Sequence, residues 1–245
     1  MDKRKGIFTA IVFIGMSSVG ALKAQENIST ETITAKDGNP IDFYFIKHAS
    51  VYFTYDGIVF YVDPVSYPNI DYGQLPKADY ILITHEHYDH FDSNVIEFVS
   101  KPTTTIICNR EVKNKLNRRC MVLENYAQSM SARIIIKSVP AYNTTPEREI
   151  YHPKGRDNGY LINVNGTYIY FAGDCEDMPE MESIGTVDVA FLPINQPYTM
   201  TVEQAINAAT KISPIVLFPY HYGDTDLKGL EILNDMGIKV IIKPM

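Results

Sequence analysis

The stretch THEHYDH, residues 84–90, places three histidines and two carboxylates in seven consecutive positions. The whole chain has only six histidines, so half of them lie in this short segment. Protonated imidazoles so close together repel one another, and the cluster would add little to folding without a partner. Neutral imidazole and carboxylate are ligands that suit zinc, manganese or iron. The segment therefore predicts a metal site.

The spacing of this motif separates its ligands into two pairs. His85 and His87 are two positions apart, so their side chains can point the same way from an extended segment. Asp89 and His90 follow after the chain turns toward the next predicted helix. Two pairs that face different ways suit two neighbouring ions better than one. We therefore expect two divalent metal ions, with zinc as the first candidate and manganese or iron as alternatives.

Several predicted strands end at residues of metal-ligand type. These strand ends are Asp63, His85, Asn143, Asp174 and His221. Polar residues at the ends of buried strands tend to lie along one edge of a sheet, where loops can turn them toward a shared point. We therefore expect the residues that follow the strands to complete the site begun by the histidine motif.

The rest of the pattern indicates one α/β domain over residues 25–245, with strands leading and helices interleaved in both halves. An Asp-Gly pair at 56–57 and an Asn-Gly pair at 165–166 each separate two strand patterns, which is typical of hairpin turns. A helix pattern follows the histidine motif, with Asp92 or Ser93 as the candidate N-cap.

Residues 1–24 have the layout of a secretory signal peptide: a basic start, an apolar run over residues 7–19 and small residues near the end. The apolar run is shorter than the roughly 20 residues that a membrane-spanning helix needs, although an uncleaved N-terminal anchor is the alternative. We therefore expect a periplasmic or secreted protein without a stable membrane anchor.

The charge of the chain bears on its partners. The net charge is −7, and the predicted leader contributes mainly basic residues, so the remaining part is more acidic still. An acidic, exported chain is a poor candidate for binding nucleic acid and is not attracted to anionic lipid. A small-molecule substrate is the expected partner, and the sequence indicates no particular oligomeric state.

The cysteines are Cys108, Cys120 and Cys175, an odd number whose spacing matches neither a zinc ribbon nor a disulfide framework. Cys108 and Cys120 could form a disulfide in an oxidising compartment or remain as buried thiols. Cys175 adjoins Asp174, but strand alternation would point its side chain away from the site.

The pattern His85-x-His87-x-Asp89-His90 resembles the signature motif of the metallo-β-lactamase fold superfamily. Further positions match the family's motifs in the same order along the chain: Asp63 in VDP, Asp174 in YFAGDCE and His221 in FPYHYGD. Within the superfamily, the chain is most similar to the branch of bacterial metal-dependent hydrolases. That branch includes relatives of the ascorbate-phosphate lactonase and of the N-acyl-phosphatidylethanolamine phospholipase D.

This resemblance implies a four-layer αββα sandwich, two metal ions and hydrolysis by a metal-bound hydroxide. The metal ligands that it implies are His85, His87, Asp89, His90, Asp174 and His221. Asp89 would also hold the nucleophile by a hydrogen bond, and Asp174 would bridge both ions. The substrate would be a phosphodiester, lactone or ester. The alternative is a non-catalytic metal- or ligand-binding protein that retains the fold.

One ligand departs from the family's pattern, because Asn143 in VPAYNTT stands where the third motif has a histidine. Two interpretations are open. Asn143 could bind an ion weakly or through water, or His152 in the following loop could supply the missing ligand. Each residue also has an ordinary alternative, since Asn143 could form an Asx turn before Thr144 and His152 could be a plain loop histidine.

Other residues are expected around the ligands. Asp63 is expected to orient a ligating histidine rather than to bind metal, since such histidines usually donate their other N–H to a carboxylate. His48 lies in the segment HAS, which resembles the opening His-x-Ser motif of the hydrolase branch, and could contact substrate or be a capped core histidine. Tyr198 and Met200 precede a predicted helix and could line a substrate pocket or pack inside.

Overall fold

The chain folds into two seven-stranded sheets, and the computed structural model describes residues 28–131 and 133–245. The first sheet contains β1 (Ser29–Thr34), β2 (Pro40–Lys47), β3 (Ser50–Tyr55), β4 (Ile58–Val62), β5 (Tyr80–Leu82), β6 (Thr105–Cys108) and β7 (Met121–Val122). The second contains β8 (Gln128–Ser131), β9 (Ile134–Ala141), β10 (Asp157–Val164), β11 (Thr167–Phe171), β12 (Val189–Pro193), β13 (Val216–Tyr220) and β14 (Lys239–Val240). The helices are α1 (Ser93–Val99), α2 (Arg110–Lys115), α3 (Val202–Ile212) and α4 (Ile232–Asp235), with 3-10 turns at Tyr72–Gln74, Pro179–Ser183 and Lys228–Glu231.

Both sheets have the same plan, with strands in sequential order. The strands from β1 to β4 and from β8 to β11 pair antiparallel, whereas β4 to β7 and β11 to β14 pair in parallel. The predicted hairpins are confirmed at both Xaa-Gly pairs. Asp56 and Asn165 have φ values of 49° and 48°, and the glycines that follow them are also left-handed, as hairpin turns require.

Aromatic side chains from both sheets fill the space between them. Phe171 and Phe191 of the second sheet stack with centroids 4.1 Å apart, and Phe43 of the first sheet lies 5.5 Å from Phe191. All three are fully buried. Burying one such side chain stabilises the fold by about 1.5–3 kcal/mol, so this layer is a main source of stability.

Helices cover the outer face of each sheet. On the first sheet, α1 buries Val95, Ile96 and Val99, and Asp92 caps its N-terminus by accepting from Asn94 N at 2.9 Å. On the second sheet, α3 buries three alanines, whose small side chains allow a close approach to the strands. The layers therefore stack as helices, sheet, sheet and helices, and the predicted αββα sandwich is confirmed.

The last predicted strand is much shorter than its apolar pattern indicates. Only Lys239–Val240 pairs as β14, although GIKVIIKPM reads as a full strand. Ile242 is half exposed, and Pro244 has no N–H to continue a ladder. By contrast, Ser29–Thr34 forms an edge strand that its polar composition does not indicate, because edge strands need no buried face.

Close contact between the two sheets forms the floor of the site. The Tyr160 hydroxyl donates to the Ile83 carbonyl at 2.7 Å, and the Asn158 N–H donates to the Thr84 carbonyl at 3.1 Å. Gly173 allows this approach, because a Cβ there would lie 2.7 Å from the Asn158 carbonyl oxygen of its own sheet and 3.3 Å from Thr84 Cβ beyond the first sheet, and its φ is +67°. The end of β11 is thereby held against the histidine motif of the other sheet.

The predicted leader, residues 1–24, lies outside the described residues. Across residues 28–131 and 133–245, none of the helices combines the length and the apolar character needed to cross a membrane.

Candidate metal centre

Asp174 lies at the middle of the predicted ligands. Its Oδ2 is 3.3 Å from His221 Nε2, 3.4 Å from His152 Nε2 and 4.0 Å from His85 Nε2. Its Oδ1 is 3.3 Å from His90 Nε2. One carboxylate thus faces side chains from both halves of the chain, in the arrangement that a bridging ligand requires.

The other ligand-type side chains form two sets that meet at Asp174, because His85 of one set and His90 of the other also group with it. Within each set, one ligand atom per residue lies within 4.8 Å of every other. The first set is His85, His87 and His152, and the second is His48, Asp89, His90 and His221. The two pairs distinguished by spacing in the motif therefore do face different sets, because the chain turns between His87 and Asp89.

Many of the converging atoms are buried without a hydrogen-bond partner among the described residues. They are Nε2 of His85, Nε2 of His90, Oδ1 of Asp174 and both ring nitrogens of His221. A buried polar atom left unpaired costs about 1–3 kcal/mol, so such atoms are rarely clustered in a folded protein. Divalent cations would satisfy them, and imidazole with carboxylate is a suitable donor set for zinc. The residues present therefore fit a metal centre.

Electrostatics prepare these groups for a cation. Burial lowers the pKa of His85 well below its usual value, so the ring is neutral and free to bind metal. Burial also opposes the charge on His90, but Asp174 and Asp63 outweigh it and hold the pKa of His90 well above its usual value, so a cation bound here would displace a proton from this ring. Burial acts to raise the pKa of Asp174, yet His221 and His90 hold it well below its usual value. Asp174 is therefore ionised.

Asp63 holds His90 from behind. Its Oδ2 lies 2.8 Å from His90 Nδ1 and accepts from the Thr84 hydroxyl at 2.6 Å, while Oδ1 accepts from Thr84 N at 2.8 Å. Asp63 is fully buried and contacts no other predicted ligand at these distances. The geometry agrees with the orienting role expected for Asp63, since it leaves Nε2 of His90 directed at Asp174.

The structure distinguishes between the two candidates for the missing ligand. His152 lies in the first set, with its ring centroid 4.9 Å from those of His85 and His87. The Asn143 amide instead donates to the carbonyls of Arg148 and Tyr198, at 3.2 and 2.8 Å. This is not an Asx turn, because the Asn143 side-chain oxygen accepts no hydrogen bond. Asn143 also donates its backbone N–H to the His152 carbonyl at 2.9 Å, which links the two candidates.

Asp157 is a site residue that sequence reasoning missed. Its Oδ2 lies 3.1 Å from His152 Nδ1, and Arg156 holds the same carboxylate through two contacts of 2.8 Å. Asp157 thus does for His152 what Asp63 does for His90. The only signal in the sequence is an aspartate five positions after a loop histidine. This pattern is too common to indicate a functional residue.

Site residues adopt uncommon backbone conformations. His48, Asp63 and His221 have φ values of 59°, 44° and 49°, in the left-handed region that residues other than glycine seldom occupy. Such strain persists only where the surrounding structure imposes it, and it is typical of functional sites. Here it turns each side chain back toward the centre as the chain leaves a strand.

His48 joins the open side of the second set. Its Nε2 lies 3.1 Å from Asp89 Oδ2, and its ring lies 3.8 Å from the His221 ring. Burial acts to raise the pKa of Asp89, but the neighbouring His221 and His48 rings keep it well below its usual value. His48 is therefore a partner of Asp89 at the edge of the site rather than a histidine of the core.

A cavity of about 590 Å³ opens onto this centre. Its lining residues are His48, Glu86, His87, Tyr88, Asp89, Tyr151, His152, Asp174, Asn195, Tyr198 and His221. Tyr198 therefore lines a pocket, as one of its two interpretations held. Met200 and Cys175 are instead fully buried in the apolar layer beneath α3, away from the centre.

Comparison with known proteins places this geometry in a family. A family model described as a beta-lactamase superfamily domain matches residues 42–221. A UPF0173 metal-dependent hydrolase of Nanoarchaeum equitans is 32% identical over 158 residues, which cover 60% of this chain and 71% of that protein. A UPF0173 metal-dependent hydrolase of Pyrococcus horikoshii is 28% identical over 219 residues, which cover 82% of this chain and 95% of that protein.

Solved structures agree with these matches. A candidate metal-dependent hydrolase from Parabacteroides distasonis superposes with a TM-score of 0.85 at 48% identity, over 89% of this chain and 99% of that one. A metallo hydrolase from Ignicoccus hospitalis has the same fold, with a TM-score of 0.71 at 24% identity. The match covers 83% of this chain and 95% of that one. The chain therefore belongs to the beta-lactamase superfamily, as a metal-dependent hydrolase with the metallo-β-lactamase fold.

Proposed function

We propose that this protein hydrolyses a small-molecule phosphodiester, lactone or ester with two divalent metal ions, zinc being the first candidate. The main support is the convergence of buried, unpartnered ligand atoms on both sides of Asp174. A single ion would leave one of the two sets without a partner. The open cavity beside Asp89 would give a small-molecule substrate access to ions held there.

The proposed ligands follow from the two sets. One ion would be held by His85, His87 and His152. The other would be held by Asp89, His90 and His221. Asp174, whose carboxylate faces members of both sets, would contribute to both sites. Ions held here would lower the pKa of a bound water to about 7, which makes hydroxide available at neutral pH.

Asp89 is the proposed catalytic residue because it is ionised, partly exposed and directed at the cavity. Its Oδ2 faces His221 Nε2 at 3.5 Å and His48 Nε2 at 3.1 Å. An ionised carboxylate in this place can accept a hydrogen bond from the attacking water and fix the direction of attack. Asp63 and Asp157 keep the imidazoles in the orientation that binding requires.

The test combines metal content with turnover. Elemental analysis of purified protein loaded with zinc or manganese should give two ions per chain, and hydrolysis should require them. Asp174→Asn should lose both metal and hydrolysis while circular dichroism stays unchanged. Asp235→Asn, at an exposed position of α4, is the matched control. Full turnover in Asp174→Asn, or turnover in chelator without metal, would reject the two-metal proposal.

We extend the proposal to export from the cytoplasm. Its support is the pattern of charge and hydropathy in residues 1–24. N-terminal sequencing of the protein from separated periplasmic and cytoplasmic fractions tests it. A mature N-terminus near residue 22 or 25 in the periplasmic fraction or the medium is expected, and an uncleaved cytoplasmic chain would reject export.

A further inference from the structure

We propose that the cavity selects an uncharged ester or lactone that carries a flat aromatic group, in preference to a phosphodiester. This inference rests on the hydrolytic function proposed above and narrows its substrate class. It is drawn from the side chains that line the cavity away from the metal ligands.

Three tyrosines, Tyr88, Tyr151 and Tyr198, line the cavity beside the proposed ligands as an aromatic wall. Tyr88 is 87% exposed and Tyr198 is 46% exposed, although both line a concave pocket. Tyr151 and Tyr198 meet edge to face, with ring centroids 5.1 Å apart and an interplanar angle of 73°. Exposed aromatic surface inside a pocket gains free energy when a second flat group covers it. The wall therefore favours a ligand with a planar apolar face.

The aromatic wall is held in place from behind. The Asn143 amide donates to the Tyr198 carbonyl and to the Arg148 carbonyl, which ties the loop of Tyr198 to the loop that leads to Tyr151. The Arg156 guanidinium donates to the Tyr151 carbonyl at 2.7 Å. Because the backbone is held at both tyrosines and their rings contact each other, the two side chains lose little conformational entropy when a ligand binds. The surface is therefore suited to recognition.

Among the described residues, no lysine or arginine lines the cavity. The basic side chains of the neighbouring loop are each engaged with a carboxylate: Arg148 with Glu176 at 3.3 Å, Lys154 with Glu180 at 2.7 Å and Arg156 with Asp157 at 2.8 Å. The cavity is lined instead by Glu86, whose side chain is 10% exposed and lies 3.9 Å from the Arg156 guanidinium, so this arginine is turned to carboxylates rather than to the cavity. Phosphate groups are usually recognised by arginine or lysine, so a phosphodiester would find attraction only at the ions.

The first experiment measures binding to the zinc-loaded protein, without turnover. Acetohydroxamate and benzohydroxamate have the same metal-binding group and differ by the ring. Calorimetry should show benzohydroxamate binding tighter by about threefold to tenfold, the range expected of an aromatic contact. Tyr198→Leu should remove most of this difference, whereas Tyr126→Leu, at an exposed tyrosine outside the cavity, should retain it. If the unaltered protein binds the two ligands equally, the proposed preference for an aromatic group is overturned.

The second experiment compares substrates. Dihydrocoumarin, δ-valerolactone and bis(4-nitrophenyl) phosphate are each measured as kcat/KM of the zinc-loaded protein, after subtraction of hydrolysis in zinc buffer without protein. The aryl lactone is expected to have the highest kcat/KM, and Tyr198→Leu should raise its KM more than that of δ-valerolactone. A higher kcat/KM for the phosphodiester would overturn the proposal. Selective binding of benzohydroxamate without hydrolysis of any of the three would uphold the aromatic pocket while rejecting the proposed hydrolytic function.

Discussion

His152 Nδ1 lies 3.1 Å from Asp157 Oδ2, so a carboxylate outside the ligand sets decides which nitrogen of His152 faces Asp174. Hydrogen bonding at Nδ1 favours the tautomer whose Nε2 is free to bind a cation. Asp157 can play this role because Arg156 and Asn109 hold it on its other side. The relation explains how the ring of a loop histidine is held in one orientation, as its proposed role as a ligand requires.

The first prediction concerns the identity of the third ligand. His152→Ala should bind markedly less metal than the unaltered protein, because the first set then retains only His85 and His87. Asn143→Ala should keep most of its metal but unfold at lower temperature, since two buried carbonyls lose their donor. Elemental analysis and thermal unfolding measure both. Equal loss of metal in the two variants would contradict the assignment.

The second prediction concerns the carboxylates behind the histidines. Asp157→Asn and Asp63→Asn should each weaken zinc binding by about 10–100-fold, because the imidazole loses the acceptor that orients it. Competition with a chromogenic chelator measures the affinity, and circular dichroism checks the fold. Asp235→Asn should bind zinc like the unaltered protein. Unchanged affinity in Asp157→Asn would mean that His152 does not depend on its neighbour.

The third prediction is a pH dependence outside the metal centre. Asp37 accepts hydrogen bonds from Tyr55 of the first sheet at 2.5 Å and from Asn165 of the second at 2.7 Å. These bonds hold the pKa of Asp37 well below its usual value, Tyr55 having the largest effect. Because the pKa is lower in the folded state, the stabilisation is present above the unfolded pKa of about 4 and is lost as pH falls through the folded value.

Urea unfolding of the metal-free protein tests this relation. Asp37→Asn should be less stable than the unaltered protein at neutral pH, and the gap in free energy of unfolding should narrow in acid below about pH 4. Comparing the two proteins at each pH removes the contribution of other carboxylates. A gap that is constant across pH would contradict the assigned pKa.

The fourth prediction concerns Cys108 and Cys120, whose sulfur atoms lie 3.0 Å apart. Oxidised glutathione should convert the pair to a disulfide, leaving buried Cys175 as the free thiol found on unfolding. Closing a loop of this length should add about 3 kcal/mol to the free energy of unfolding. Thiol titration and urea unfolding measure the two effects. Cys120→Ser should show neither the loss of thiols nor the added stability. If the unaltered protein retains all its thiols, the disulfide between Cys108 and Cys120 is rejected.

The sequence by itself determined the local part of the centre. The motif from His85 to His90 is one short segment, and its two-residue spacing already separates its ligands into pairs. Asp174 and His221 follow apolar runs whose strand character is evident, and parallel strands that end at one edge bring such residues together. The alternation of strands and helices indicated one α/β domain, and the resemblance of the motifs to a known family implied its αββα layers.

Only the tertiary structure decided how the centre is completed. The loop from Asn143 to His152 follows a path set by distant contacts: Glu176 accepts from the backbone of Thr144 and Thr145 at 2.8 and 2.6 Å. Neither these hydrogen bonds to Glu176 nor the pairing of His152 with Asp157 produces a periodic pattern in the sequence. A polar residue on a loop can form many local hydrogen bonds of similar free energy, and packing against the second sheet selects among them.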